Sequence, residues 1–138
     1  MVGAAIAGDS GGVTAPSDSP TDPAELGARR AAEYLQLLDA GRTDDAEALL
    51  AGLSDTRELV FVGAGFTALA RRTGRTLPTA MRAQASTRQV LLGQLRDANR
   101  RDPDGLRQWL RKAGEEVRTV TRLAETARAR LGHQAAVS

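Results

Sequence analysis

The chain has no cysteine, which excludes disulfide staples, thiolate nucleophiles and cysteine-ligated metal centres. Histidine occurs once, at His133, so a multi-histidine metal site cannot be assembled and a Ser–His–Asp triad is not expected. No cofactor is expected. Aromatic residues make up 3% of the 138 positions, too few for a platform that stacks single-stranded bases. Long apolar runs are also missing. The longest, Leu59 to Ala70, would reach about 18 Å as a helix against a hydrocarbon core of about 30 Å. The first eight residues lack a basic lead and a long apolar stretch, so a secretory signal is not expected and a cytoplasmic protein is.

Alanine, leucine and arginine are abundant instead. The 25 alanines are joined, between Ala24 and Gly132, by 27 larger apolar residues, 17 of them leucine. These are good helix formers, β-branched residues are scarce, and no alternating strand pattern stands out. The expected fold class is all-α: a small bundle of about five helices, with an N-terminal hairpin and a long C-terminal helix.

Residues 1–21 hold Gly, Ser, Thr, Pro and Asp with no basic or aromatic residue, the composition of a disordered tail. A single domain is expected over 22–132, with a second disordered tail over 133–138. Asp22-Pro23-Ala24-Glu25 is a helix-start signal, a capping residue followed by proline at the first helical position. The first helix should run over about 23–40, with Ala28, Ala31, Leu35 and Leu38 inward and Tyr34 and Leu37 beside them. Gly41 ends it. Thr43 can cap a second helix over about 44–53, facing inward through Ala46, Leu49, Leu50 and Leu53.

Leu37, Gly41, Ala46 and Leu50 stand in the string Leu-Leu-Asp-Ala-Gly-Arg-Thr-Asp-Asp-Ala-Glu-Ala-Leu-Leu, which resembles the middle of a tetratricopeptide repeat. The glycine falls at the turn and the small alanine at the helix contact. The family's early Trp and terminal Pro are missing, and no second copy follows. The resemblance therefore implies a helical hairpin, not a solenoid, and brings no groove residues with it.

Asp55 and Glu58 open a third helix near 56–73, the most hydrophobic one, with Leu59, Val62, Phe66 and Leu69 at helical steps. Its segment Val60 to Ala70 also resembles a dinucleotide-binding G-x-G-x-x-A turn. That motif needs a following parallel strand and an acidic residue about 20 positions on, and neither is present. The glycines are better read as flat patches where another helix crosses closely, each costing about 1 kcal/mol of helix propensity. A fourth helix over about 78–100 should be buried through Met81, Ala85, Leu92 and Leu95, with Leu91 and Ala98 alongside. Asp102-Pro103 starts the fifth, about 103–131. It carries an unbroken heptad seam of Leu106, Leu110, Ala113, Val117, Val120, Ala124, Ala127 and Leu131. That seam either packs on helices 3 and 4 or forms a homodimer.

Charge is unevenly spread. Residues 1–70 hold four basic and eleven acidic residues, and residues 71–138 hold fifteen and six. Arg107, Arg111, Arg118 and Arg122 share an arc of about 60° on the fifth helix, turned away from the seam and towards solvent. Arg82, Arg96 and Arg100 share a face of the fourth. Such faces can neutralise phosphates, dock an acidic protein surface, in this chain or another, or simply be solvated. Asp44/Asp45 and Glu115/Glu116 are adjacent pairs whose members point about 100° apart, so no acid–base dyad is expected, and all four are expected on exposed first turns or solvent faces. The sequence reads as a small non-enzymatic, adaptor-like protein-interaction module, with a protein partner or self-association and no membrane. Its alternative is a nucleic-acid-associated protein gripping phosphates through those arginines. A third reading is a small-molecule cavity near Tyr34, Phe66 and Trp109.

Overall fold

The computed structural model describes residues 22–137, so the expected N-terminal tail lies outside the described residues. Five helices follow one another: α1 (Pro23–Asp39), α2 (Thr43–Ala51), α3 (Thr56–Gly74), α4 (Thr79–Ala98) and α5 (Pro103–Val137). There is no strand among the described residues. The molecule is an all-α bundle, and no described helix is long and apolar enough to cross a membrane.

The helix starts follow the local chemistry. Asp22 and Asp55 cap α1 and α3, accepting from the amides of Ala24 (3.3 Å) and Arg57 (2.9 Å), and Asp102 accepts from Asp104 (3.1 Å). Each bond satisfies an amide that has no partner within its own helix, worth about 1 kcal/mol. The α2 start differs from expectation. Thr43 is already helical, and Arg42 occupies the cap position without a side-chain bond to the helix amides, pairing instead with Asp45 at 2.8 Å. Gly41, at φ 75°, makes the turn between α1 and α2 in a conformation that a Cβ would disfavour.

Helix α3 lies at the centre, packed chiefly against α1 on one side and α5 on the other. Its buried residues are Leu59, Val62, Gly63, Gly65, Phe66 and Ala70. The glycines sit inside a continuous helix, as the reading against a dinucleotide site required. A Cβ on Gly63 would enter the Trp109 ring, and one on Gly65 would stand 3.0 Å from both Ala28 Cα and Ala31 Cβ. Across the same crossing, Gly27 of α1 rests on the Phe61 backbone of α3. The inward line of α1 is therefore Gly27, Ala31 and Tyr34, while Ala28 is exposed and Leu35 and Leu38 are half-buried. Tyr34 meets Phe66 edge to face at 5.6 Å.

The heptad seam is a packing seam for most of its length. Leu106, Leu110, Ala113, Val117, Val120 and Ala124 are buried within the chain, together with Trp109. Ala127 is half-buried and Leu131 is 67% exposed, because α5 has by then run past the elements that cover it. The helix nevertheless continues through Gly132 to Val137, into the segment expected to be a tail. A single glycine costs only about 1 kcal/mol, and the following alanines favour helix. Gly114 does not interrupt the helix either.

Helix α4 departs most from expectation. None of its residues is fully buried. Met81 and Ala85 pack against the Leu77–Val120–Ala124 cluster, and Leu92 and Leu95 lean on the main core. Leu91 is exposed, as is Ala98. Small residues on its inner side, Ala85, Ser86 and Gly93, leave it standing off from α3 and α5.

Candidate binding surface and cleft

Most of the arginine stripe of α5 does not point into solvent. It faces the acidic α1–α2 hairpin, which folds over that side of the helix. Arg107 donates from Nε to the Leu50 carbonyl (3.2 Å) and from Nη2 to the Leu53 carbonyl (2.8 Å). Its Nη1 pairs with Asp104 at 2.7 Å. Leu50 lies in the last turn of α2, where its carbonyl also accepts from the Leu53 amide (3.1 Å), and Leu53 follows the helix, so Arg107 serves as a long-range cap of that end. Arg111 grips Glu47 of α2, with Nε 2.9 and 3.1 Å from the two carboxylate oxygens and Nη2 2.8 Å from Oε1. That hydrogen bond raises the Arg111 pKa further above its already high ordinary value. Arg118 lies 3.5 Å from Asp39 at the end of α1. Only Arg122 of the four stays exposed with no carboxylate in ion-pair range among the described residues.

The second expected face is also partly engaged. Arg96 and Arg100 share Asp97, at 3.0 and 3.1 Å, and the two guanidinium groups hold its carboxyl below the usual carboxylate range. Arg82 donates to the Thr79 hydroxyl at 3.2 Å. The seven arginines expected to form one surface are thus dispersed. Arg107, Arg111 and Arg118 hold the hairpin, while Arg82, Arg96, Arg100 and Arg122 remain at the exterior.

Sequence reading passed over a different arginine group. Arg71, Arg72 and Arg75 end α3, are exposed, and have no carboxylate in ion-pair range among the described residues. With Arg82 at the start of α4 they form a cationic edge. Val90 (61% exposed) and Leu91 (58%) lie further along α4.

Between α3, α4 and α5 opens a cleft of about 650 Å³. Arg71, Arg75, Arg82 and Arg96 stand along it, and Trp109, Glu116 and Val120 of α5 also line it. The site expected among Tyr34, Phe66 and Trp109 is different, because that space is filled. Phe66 is fully buried, Tyr34 lies against it, and the Trp109 ring occupies the room left by Gly63. Burial pushes the Tyr34 hydroxyl pKa up, which keeps it neutral.

Glu116, expected on the exterior beside Glu115, has a side chain only 7% exposed. Arg88 of α4 donates to its Oε1 at 2.7 Å and fastens α4 to α5. The pair is incomplete: Glu116 Oε2 and Arg88 Nη2 are both buried without a hydrogen-bond partner. Leaving such atoms unmatched costs about 1–3 kcal/mol apiece. The signal for Glu116 was present in the sequence. It stands one heptad after Trp109 and four residues before Val120, beside the apolar seam.

The chain matches no protein-family model, no curated protein and no solved structure.

Proposed function

We propose that the protein is a small non-enzymatic helical interaction module, working in the cytoplasm, that docks an acidic segment of another protein. Its docking surface is the cationic edge of Arg71, Arg72, Arg75 and Arg82, continued along α4 by Val90 and Leu91. The observation that carries this reading is the division of labour among arginines. Those facing the hairpin are matched to carboxylates or carbonyls, whereas those ending α3 have no carboxylate in ion-pair range among the described residues. Opposite charge steers encounter and fixes register, and apolar residues add contact area. A phosphate-gripping surface fits less well, because the longest arginine row is occupied by the protein's own acidic half.

The test is quantitative affinity capture from native cell extract with three baits: the wild type, Arg71→Glu/Arg75→Glu/Arg82→Glu, and Arg122→Glu. A stoichiometric protein partner with an acidic segment should be retained by the wild type and by Arg122→Glu, and lost from the triple variant. Equal retention by all three baits would contradict the surface assigned here. Capture of nucleic acid in place of protein, visible in the 260/280 nm absorbance ratio, would replace this reading with the phosphate one.

A further inference from the structure

We infer that the cleft between α3, α4 and α5 is a binding site for a small organic anion that also carries a hydrogen-bond donor. The site lies beneath the docking edge but does not depend on a protein partner. Three observations converge on it. The volume, about 650 Å³, is within the range of small-molecule pockets, and small side chains on α4 create it. Arg71, Arg75, Arg82 and Arg96 line it, and among the described residues only Arg96 of these has a carboxylate in ion-pair range. The α5 wall holds Glu116, a carboxylate that is nine-tenths buried and has one oxygen without a partner.

These features specify complementary ends of one ligand. A carboxylate, sulfonate or phosphate answers the guanidinium groups. An amine or hydroxyl on the same molecule answers Glu116 Oε2, and a flat or aliphatic body covers Ala85, Val90 and Leu92. In the structure Oε2 is covered, so the donor reaches it through a turn of the Glu116 carboxylate or a small displacement of α4. Helix α4 is suited to such a displacement, since none of its residues is fully buried.

Trp109, the sole tryptophan, lines the cleft and reports on it directly. The probe is 5-aminonaphthalene-1-sulfonate, which has an anion and an amine at opposite ends of an apolar body and accepts energy from tryptophan. Titration should quench Trp109 saturably with one-to-one stoichiometry. Naphthalene-1-sulfonate, which lacks the amine, should bind at least fivefold more weakly in competition. Gly93→Leu fills the cleft without removing charge, since a Cβ there meets only Arg96 Nη2 at 3.8 Å. It should weaken binding at least tenfold while the circular dichroism and melting temperature are retained. Absence of saturation up to about 1 mM, the limit of weak specific binding, would overturn the site. So would unchanged affinity in Gly93→Leu. Equal affinity for the two sulfonates would remove Glu116 from it and with it the proposed ligand class. Failure here leaves the docking surface standing, because Gly93→Leu keeps every arginine of that edge.

Discussion

Gly27→Ala is expected to destabilise the protein by about 2–3 kcal/mol, although alanine is the better helix former by about 1 kcal/mol. The reason is the neighbour its Cβ would meet. It is the Phe61 carbonyl and backbone of α3, which cannot rotate aside as a side chain could. Helices α1 and α3 must separate, and the line Gly27, Ala31, Tyr34 loses contact with Gly65 and Phe66 together. Gly93→Ala supplies the internal control, because space is open around it, and it should gain up to about 1 kcal/mol from propensity alone. Urea denaturation of the two variants checks the sign as well as the size. Stabilisation in both would mean that α1 and α3 do not cross as closely as described.

The second large effect belongs to the buried ion pair. Arg88→Met leaves the Glu116 carboxylate enclosed without its cation and should cost about 3 kcal/mol. Glu116→Leu should cost under about 1 kcal/mol, since Arg88 is 36% exposed and can turn outward. The double variant should return to within about 1 kcal/mol of the wild type, because apolar residues of similar size remove both unmatched atoms. The measurement is a double-mutant cycle by chemical denaturation. Additive losses in the double variant would show that the two residues do not act on one another.

Much of the architecture was legible. Asp22-Pro23, Asp55 and Asp102-Pro103 marked helix starts because a capping oxygen and a fixed proline φ act within a few residues of sequence. The heptad seam of α5 and the flat glycines of α3 were readable for a similar reason, since periodicity and size are local. What a helical wheel cannot supply is the identity of the neighbour. It placed Arg107, Arg111 and Arg118 on one arc away from the seam, and that arc is real. The acidic hairpin then folded over it, satisfying Arg111 with Glu47 and the end of α2 with Arg107. Glu116 was misjudged by its resemblance to Glu115, although its register with Trp109 and Val120 turned it inward. The cleft was invisible because it arises from what Ala85, Ser86 and Gly93 fail to fill, a property of three helices at once.

The central claim is that arginines fall into two populations, those consumed in holding the bundle and those left for a partner. It is tested most directly by mapping phenylglyoxal modification of the folded protein, arginine by arginine, with mass spectrometry. Arg88, Arg107 and Arg111 should react slowest, and Arg71, Arg72, Arg75 and Arg122 fastest. Uniform rates, or Arg107 and Arg111 among the fastest, would contradict the account.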